Sequence, residues 1–340
     1  MERVDKAQDV SRCSMRVAVL HGAVPDGASK DELDVLVEAE GVTEALLRLG
    51  HDPVCIPLSL DLKAAVDLLI ALKPDMVFNL VETVEGKGSL IHLAPALLDV
   101  MRIPYTGART EAMFLTSNKL MAKELMRAHG IPTPPWYVAG KSGKGPSGLY
   151  VVKSVWEHAS IGLGEDSVIT VEDRDQLSME VEARSERLGG QCFAEAYIEG
   201  REFNLSLLAN SDGVELLPPA EILFEAYPEG RKRIVCYKAK WDEDSFEYHH
   251  TPRRFHLQGD EPLISSMEGM ARACWGLFGL RGYARVDFRV DREGSPWVLE
   301  VNANPCLSPD GGFVAAAIQA GLRYEDVIQR IMEDSLRVRS

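Results

Sequence analysis

The sequence predicts an α/β protein: an open, mainly parallel α/β region over residues 15–116, followed by an α+β region reaching to about residue 336. Two observations carry this. Through the first third, strand-like and helix-like runs alternate. Further on, hairpin signals and helix signals mix, and near the C-terminus two alternating runs flank a short turn.

Arg16-Val-Ala-Val-Leu reads as a buried strand, followed by His21-Gly and a loop carrying Pro25 and Gly27. A helix comes next, with Leu33, Leu36, Val37, Val42, Ala45, Leu46 and Leu49 as its apolar stripe and Gly50 closing it. Val54 to Leu58 and Met76 to Val81 are further strands with a helical stretch between them, and Ser89 to Met101 is another helix. In such sheets ligands bind beyond the carboxyl ends of the strands, which puts the loops after Leu20 and Val81 at a candidate site. Ser117-Asn118 can cap a helix running to Ala128, with Gly130 and Pro132 ending it. Residues 141–148 read as a flexible turn and Leu149 to Lys153 as a strand. A glycine-containing loop follows over 154–164, then a helix over 174–188. Cys192 to Tyr197 and Arg201 to Leu208 are strands joined at Glu199-Gly200. A segment over 234–240, a helix over 263–278, the flanked turn and a closing pair of helices after Asp310 complete the chain.

Composition narrows the function. At 340 residues two or three domains are expected, and 46% hydrophobic with 26% charged residues describes a soluble globular protein. The net charge of −15, with no basic run interleaved with aromatics, speaks against a nucleic-acid partner. No apolar run approaches about eighteen residues, so no membrane span is expected. Met1 to Ser14 is polar, lacks the core of a signal peptide and reads as a disordered extension, with Met15 as the functional start. Six cysteines stand at 13, 55, 192, 236, 274 and 306 without a C-x-x-C pair, as in a reduced, cytoplasmic protein without zinc.

The most informative run is Tyr283-Ala-Arg-Val-Asp-Phe-Arg-Val-Asp, then Trp297-Val-Leu-Glu-Val-Asn-Ala-Asn-Pro. Tyr283, Arg285, Asp287 and Arg289 share one face, and Ala284, Val286, Phe288 and Val290 the other. A turn centred on Glu293-Gly294 sets Asp287 opposite Glu300 and Arg285 opposite Asn302. Carboxylates side by side on a sheet repel. A hard divalent cation removes the repulsion, since Mg²⁺ takes carboxylate and amide oxygens and completes its octahedron with water and phosphate. The run therefore reads as a magnesium–phosphate site.

The order of motifs resembles the ATP-grasp superfamily, most closely its D-alanine–D-alanine ligase branch, from Arg16 to about Glu333. The anchors are Ile103-Pro-Tyr-Thr-Gly, Asn118-Lys119, Val151-Val-Lys153, Glu195-Ala-Tyr-Ile-Glu-Gly-Arg-Glu202-Phe, Tyr237-Lys-Ala-Lys240, Arg285-Val-Asp287 and Glu300-Val-Asn302-Ala-Asn-Pro305. The resemblance implies a three-domain ATP-grasp fold: an N-terminal substrate domain over 15–116, a central lid over 117–194 and a catalytic domain over 195–336. It implies ATP with two Mg²⁺ ions, Mn²⁺ being an alternative, and suggests a homodimer. Lys119 and Lys153 match the lysines on the ATP phosphates, and Lys240 one near the γ-phosphate, with Lys238 on the same face. The loop with Ser160 and Gly162 matches the one closing over the phosphates, although His158 replaces a glycine there. Glu195, Ala196 and Ile198 match the adenine hinge and Glu202 the ribose acid. Asp287, Glu300 and Asn302 match the metal ligands, and Arg285 the arginine that steadies the acyl phosphate and tetrahedral intermediate. Cys306 stands at a glycine whose N–H joins the oxyanion site; no base is placed to make it a nucleophile.

The substrate side departs from the family. The His-Gly signature is replaced by Asn79-Leu-Val-Glu82-Thr-Val-Glu85-Gly, the early loop lacks the family's Glu-x-x-Val-Ser, and Gly311 stands at the carboxylate-binding serine beside Asp310. Glu82, Glu85 and Asp310 make the expected pocket acidic, suited to an amine-bearing acceptor. The reading is an ATP-dependent carboxylate–amine ligase acting on small molecules through an acyl phosphate. The alternatives are an authentic D-alanine–D-alanine ligase and a non-catalytic ATP-binding regulator.

Overall fold

The structure, a computed structural model, describes residues 14–139, 147–157, 160 and 162–337. The first region contains β1 (Arg16–Gly22), α1 (Lys30–Arg48), β2 (Asp52–Leu58), α2 (Leu62–Leu72), β3 (Met76–Asn79) and α3 (Leu93–Met101). Its three strands are parallel in the order β2-β1-β3, and a bridge from Val77 to Tyr105 continues the sheet. Both faces of β1 are covered, which is why it is written as an unbroken apolar run. Val17 and Val19 pack toward α1 through Ala39, Val42, Ala45 and Leu46, while Ala18 and Leu20 pack toward Ala65 and Leu69 of α2 and Leu98 of α3.

The start of α1 departs from its expected stripe. Leu33, Leu36 and Val37 are 45%, 42% and 50% exposed, whereas Glu38 is 2% exposed. From Val42 onward the stripe behaves as the periodicity predicts. In the first two turns the inward face is acidic, and what it meets is the candidate site.

Asn118 ends α4 (Thr110–Ser117) and caps α5 (Lys119–Ala128), its Oδ1 accepting the Met121 N–H at 2.9 Å. The next strands are β4 (Trp136–Tyr137), β5 (Gly148–Ser154) and β6 (Val168–Val171), followed by α6 (Arg174–Ser185) and β7 (Cys192–Ala196). They form an antiparallel sheet in the order β4-β7-β5-β6, packed on α6 through Leu177 and Val181. Most of the turn expected over 141–148, and His158 of the loop expected to close over phosphates, lie outside the described residues.

The last region comprises β8 (Gly200–Asn210), β9 (Gly213–Leu216), β10 (Ala220–Ile222), α7 (Tyr237–Trp241), α8 (Phe246–His249), β11 (Arg253–Arg254) and α9 (Glu261–Phe278). It ends with β12 (Tyr283–Asp291), β13 (Pro296–Asn302), α10 (Gly312–Gln319) and α11 (Tyr324–Leu336). The sheet runs β11-β10-β8-β12-β13, with β9 also on β8. Although β7 and β8 are consecutive, they belong to different sheets, and a Cβ at Gly200 would collide with the Val290 carbonyl where the chain crosses. Ala284, Val286, Phe288 and Val290 pack against Met267, Ala271, Cys274 and Phe278 of α9, so the opposite face carries Arg285, Asp287 and Arg289.

The hairpin register has a detail the turn alone does not supply. Near the turn Val290 faces Pro296 and Phe288 faces Val298. A bulge beside Asp287 then shifts the ladder by one residue and brings Asp287 opposite Glu300 and Arg285 opposite Asn302.

Candidate active site

The polar face of β8, β12 and β13 forms the floor. Asp287 accepts from Arg285 Nε at 2.7 Å, from Arg285 Nη2 at 2.8 Å and from Asn204 Nδ2 at 2.7 Å. Burial works against the Arg285 charge, but Asp287 and then Glu300 overcome it and hold the guanidinium firmly protonated. Lys119, at the first position of α5, places Nζ 3.9 Å from Glu300 Oε2 and donates to the Glu157 carbonyl at 2.5 Å. Lys240 lies on α7. Burial and then Arg285 lower its pKa, while Glu300, Asp287 and Glu202 oppose that shift, so the ammonium sits in the field of the same floor. Asn302 completes the donor set, with its Oδ1 accepting the Asn304 N–H at 3.0 Å.

Lys153 is the last residue but one of β5, and Glu195 lies diagonally across on β7; the two side chains meet at 2.5 Å. A second lysine absent from the sequence reading, Lys123, stands 2.6 Å from the other oxygen of Glu195. The Ala196 N–H is taken by the Pro135 carbonyl at 2.8 Å, which leaves the Ala196 carbonyl and the Ile198 backbone as candidate hinge groups. Burial raises the Glu202 pKa, opposed by Arg289, whose Nε is 3.5 Å from Glu202 Oε2. Arg289 is 3% exposed and faces Glu202 across the β12–β8 ladder. Ser160 takes a left-handed φ of 61° and donates to the Val235 carbonyl at 2.9 Å, tying its loop to the segment leading into α7.

Beside Arg285 lies an acidic cluster built largely by the inward face of α1. Asp31 accepts from Tyr237 Oη at 2.6 Å, Asp34 from Ser308 Oγ and Cys306 Sγ at 3.1 Å each, and Glu38 from the Leu307 N–H at 2.5 Å. Ligand atoms of Glu38, Glu82 and Cys306 lie within 4.8 Å of one another. Burial, then Asp34, pushes Glu82 up to about 7 against the pull of Arg285 and Lys240. Burial, then Glu82, raises Glu38 well above the carboxylate range. Burial and the neighbouring acids push the Cys306 thiol well up, which keeps it a thiol rather than a nucleophilic thiolate. Glu85 lies apart, exposed in a turn where it accepts the Leu60 N–H at 3.4 Å, and Asp310 is exposed at the rim.

Gly311 has a structural reason. Its N–H donates to the Ser308 carbonyl at 2.7 Å, and a Cβ there would sit 2.9 Å from that same oxygen. Arg253 lies alongside: its Nη1 donates to the Asp310 carbonyl at 3.2 Å, and its Nε is 3.5 Å from where a Cβ on Gly312 would be. Desolvation and then the charge of Arg285 lower the Arg253 pKa, so two guanidiniums face the same cleft.

Of the residues missed from sequence, Lys123 follows Lys119 at i+4 and Arg289 follows Asp287 at i+2, so each had a positional signal. Asp31, Asp34 and Glu38 were legible too, being in helical phase with Val42, Ala45 and Leu46. Arg253 had none; only folding brings β11 beside the loop after β13.

Basic groups, an acid–amide set and a cluster of acids meet at one sheet, and the relatives of the chain make it an ATP-grasp ligase, an enzyme that forms carbon–nitrogen bonds with ATP. The family model described as "D-ala D-ala ligase C-terminus" matches residues 147–333. The D-alanine–D-alanine ligase of Gloeobacter violaceus is 31% identical over 326 residues, covering 95% of this chain and all of that one. That of Aquifex aeolicus is 28% identical over 94% of this chain and 100% of its own. The uncharacterised protein y4sG of Sinorhizobium fredii is 31% identical over 87% of this chain and 86% of its own. In fold, the D-alanine–D-alanine ligase of Bacillus anthracis crystallised with ATP superposes with a TM-score of 0.71 at 23% identity, over 96% of this chain and 99% of that one. The chain belongs to the D-alanine–D-alanine ligase family. Among the described residues, no helix is long and apolar enough to cross a membrane.

Proposed function

We propose that this enzyme joins two amino acids, with D-alanine or a close relative in both places, through an acyl phosphate formed from ATP. One observation carries the reading. Arg285 acts electrostatically on both Glu82, which lies among the acids, and Arg253, so charges of both signs gather beside the floor, which suits a zwitterion. The expectation of an amine-bearing acceptor rests on the replaced His-Gly signature, on Gly311 in place of the carboxylate-binding serine and on the acids Glu82, Glu85 and Asp310; Arg253, beside Asp310 and Gly312, offers a carboxylate a cation where that hydroxyl is lacking. The names of the relatives support D-alanine as the first substrate to test.

On this reading Glu195, Ala196 and Ile198 hold adenine, Glu202 the ribose, and Lys119, Lys153, Lys240 and the Ser160 loop the phosphates. Asp287, Glu300 and Asn302 fit Mg²⁺, since two facing carboxylates and an amide oxygen are a hard donor set whose repulsion a cation removes. Bound there, Mg²⁺ supplies neutralisation of phosphate charge. The carboxylate of the first amino acid attacks the γ-phosphorus and ADP leaves. The ammonium of the second gives up a proton to solvent and attacks the acyl carbon as the free amine, Arg285 stabilises the resulting oxyanion, and inorganic phosphate leaves with the amide formed while the nitrogen loses its second proton to solvent. Asp34 and Glu82 orient the ammonium groups.

The test is phosphate release with D-alanine as sole amino acid, with the product weighed by mass spectrometry. D-alanyl-D-alanine at a rate matching ATP consumption is expected. A second reading, an acceptor with an additional amine, is favoured by the number of acids; turnover with diamino acids but not D-alanine would select it. ATP binding without turnover on any amino acid would select a regulator.

A pH dependence follows from Glu82. With its pKa near 7 the carboxyl is mostly neutral at pH 6 and mostly ionised at pH 8, and only the ionised form attracts an ammonium. KM for the amino acid is expected to fall about tenfold across that interval, following the ionised fraction. Glu82→Gln should flatten the profile; an unchanged slope in that variant removes Glu82 from ammonium recognition.

A further inference from the structure

We infer that Lys123 is a positioning residue for ATP: as the standing counter-ion of Glu195, it frees Lys153 to move onto the phosphates. The inference rests on the ATP site proposed above. Lys123 is 1% exposed, one helical turn beyond Lys119 on α5. Its ammonium donates to Thr133 Oγ1 at 2.6 Å and to the Pro134 carbonyl at 3.2 Å, stands 2.6 Å from Glu195 Oε2, and lies 5.5 Å from the centre of the Trp136 ring. Two hydrogen bonds and the Glu195 ion pair enclose the ammonium, so Lys123 does not itself reach a nucleotide.

Glu195 is 2% exposed and holds a second ammonium, that of Lys153, at 2.5 Å from its other oxygen. One buried carboxylate thus serves two cations of unequal exposure. The Lys153 side chain is 16% exposed and stands last but one in β5, open to the cleft. Stripping a buried carboxylate of its only cation is strongly unfavourable. Lys153 can therefore leave for a phosphate only because Lys123 stays. Without Lys123, Glu195 becomes a competitor of the phosphates for Lys153. The pairing also explains why a fully buried lysine stands in a helix already carrying Lys119: its charge is needed by Glu195, not by the solvent.

The experiment is calorimetric titration of a non-hydrolysable ATP analogue, and of adenosine, into Lys153→Met, Lys123→Met, Glu195→Gln and the Lys123→Met/Glu195→Gln double variant. Lys153→Met is expected to weaken the analogue more than tenfold; binding as in the parent enzyme would bring down the phosphate reading and this inference with it. Lys123→Met is expected to weaken the analogue about tenfold and adenosine less than twofold, since adenosine has no phosphate for Lys153 to reach. Equal weakening of both ligands would show a merely structural lysine. With Lys153→Met weakened but Lys123→Met unchanged, this inference alone fails. Should Lys123→Met not fold, the double variant lacks both buried charges and decides. Analogue affinity within twofold of Glu195→Gln alone shows that Lys123 acts only through Glu195; a larger loss overturns the inference.

Discussion

Glu300→Gln is expected to lower kcat by about three orders of magnitude or more while leaving the melting temperature close to that of the parent enzyme, the scale expected when a ligand charge is removed from a phosphoryl-transfer metal site. The side chain is half-buried on β13 opposite Asp287, and its substitution by glutamine keeps shape and hydrogen-bonding oxygen but deletes one charge. Lys119 at 3.9 Å would lose a counter-ion as well, so ATP affinity should fall alongside turnover. The measurement is steady-state turnover across a Mg²⁺ titration, with thermal melting as the control. Parent-like turnover at every Mg²⁺ concentration would take Glu300 out of the metal set.

Arg285→Met should cost about a thousandfold in kcat, the scale of losing a donor to a developing oxyanion, with KM for ATP changed only a few-fold. The reasoning lies in position. Arg285 is clamped to Asp287 by two hydrogen bonds and stands at the junction of floor and acidic cluster, so its charge is preorganised before any oxyanion exists. Arg285→Lys, which keeps a charge but not the planar fork, should fall between parent and Met. Comparing single-turnover phosphate release with amide formation separates the two half-reactions. A rise in KM for ATP with kcat intact would instead make Arg285 a ground-state binding residue.

Much of the candidate site was legible because it lies on regular elements. The alternation of β12 and β13 places Arg285, Asp287, Glu300 and Asn302 on one face, and the cap at Asn118 places Lys119 at a helix start. Even there the correct pairing depends on a bulge, which no turn rule supplies. The first turns of α1 were misread because apolar residues at helical spacing were assigned inward, when Leu33, Leu36 and Val37 face out and Asp34 and Glu38 face in. A helix lining a site inverts the usual pattern, since its inward face meets polar ligands and loop N–H groups rather than a core.

Local sequence determined the strands and most helices, the mixed α/β architecture, and the acid–amide–arginine face, because these follow from side-chain period and capping within a few residues. Tertiary structure alone decided which charges neutralise one another. Lys123 and Glu195 are 72 positions apart, Asp34 and Ser308 are 274, and Arg253 reaches the Asp310 carbonyl across 57. Such pairings depend on how separately formed sheets and helices dock, and burial, which gives them their strength, exists only once they have docked.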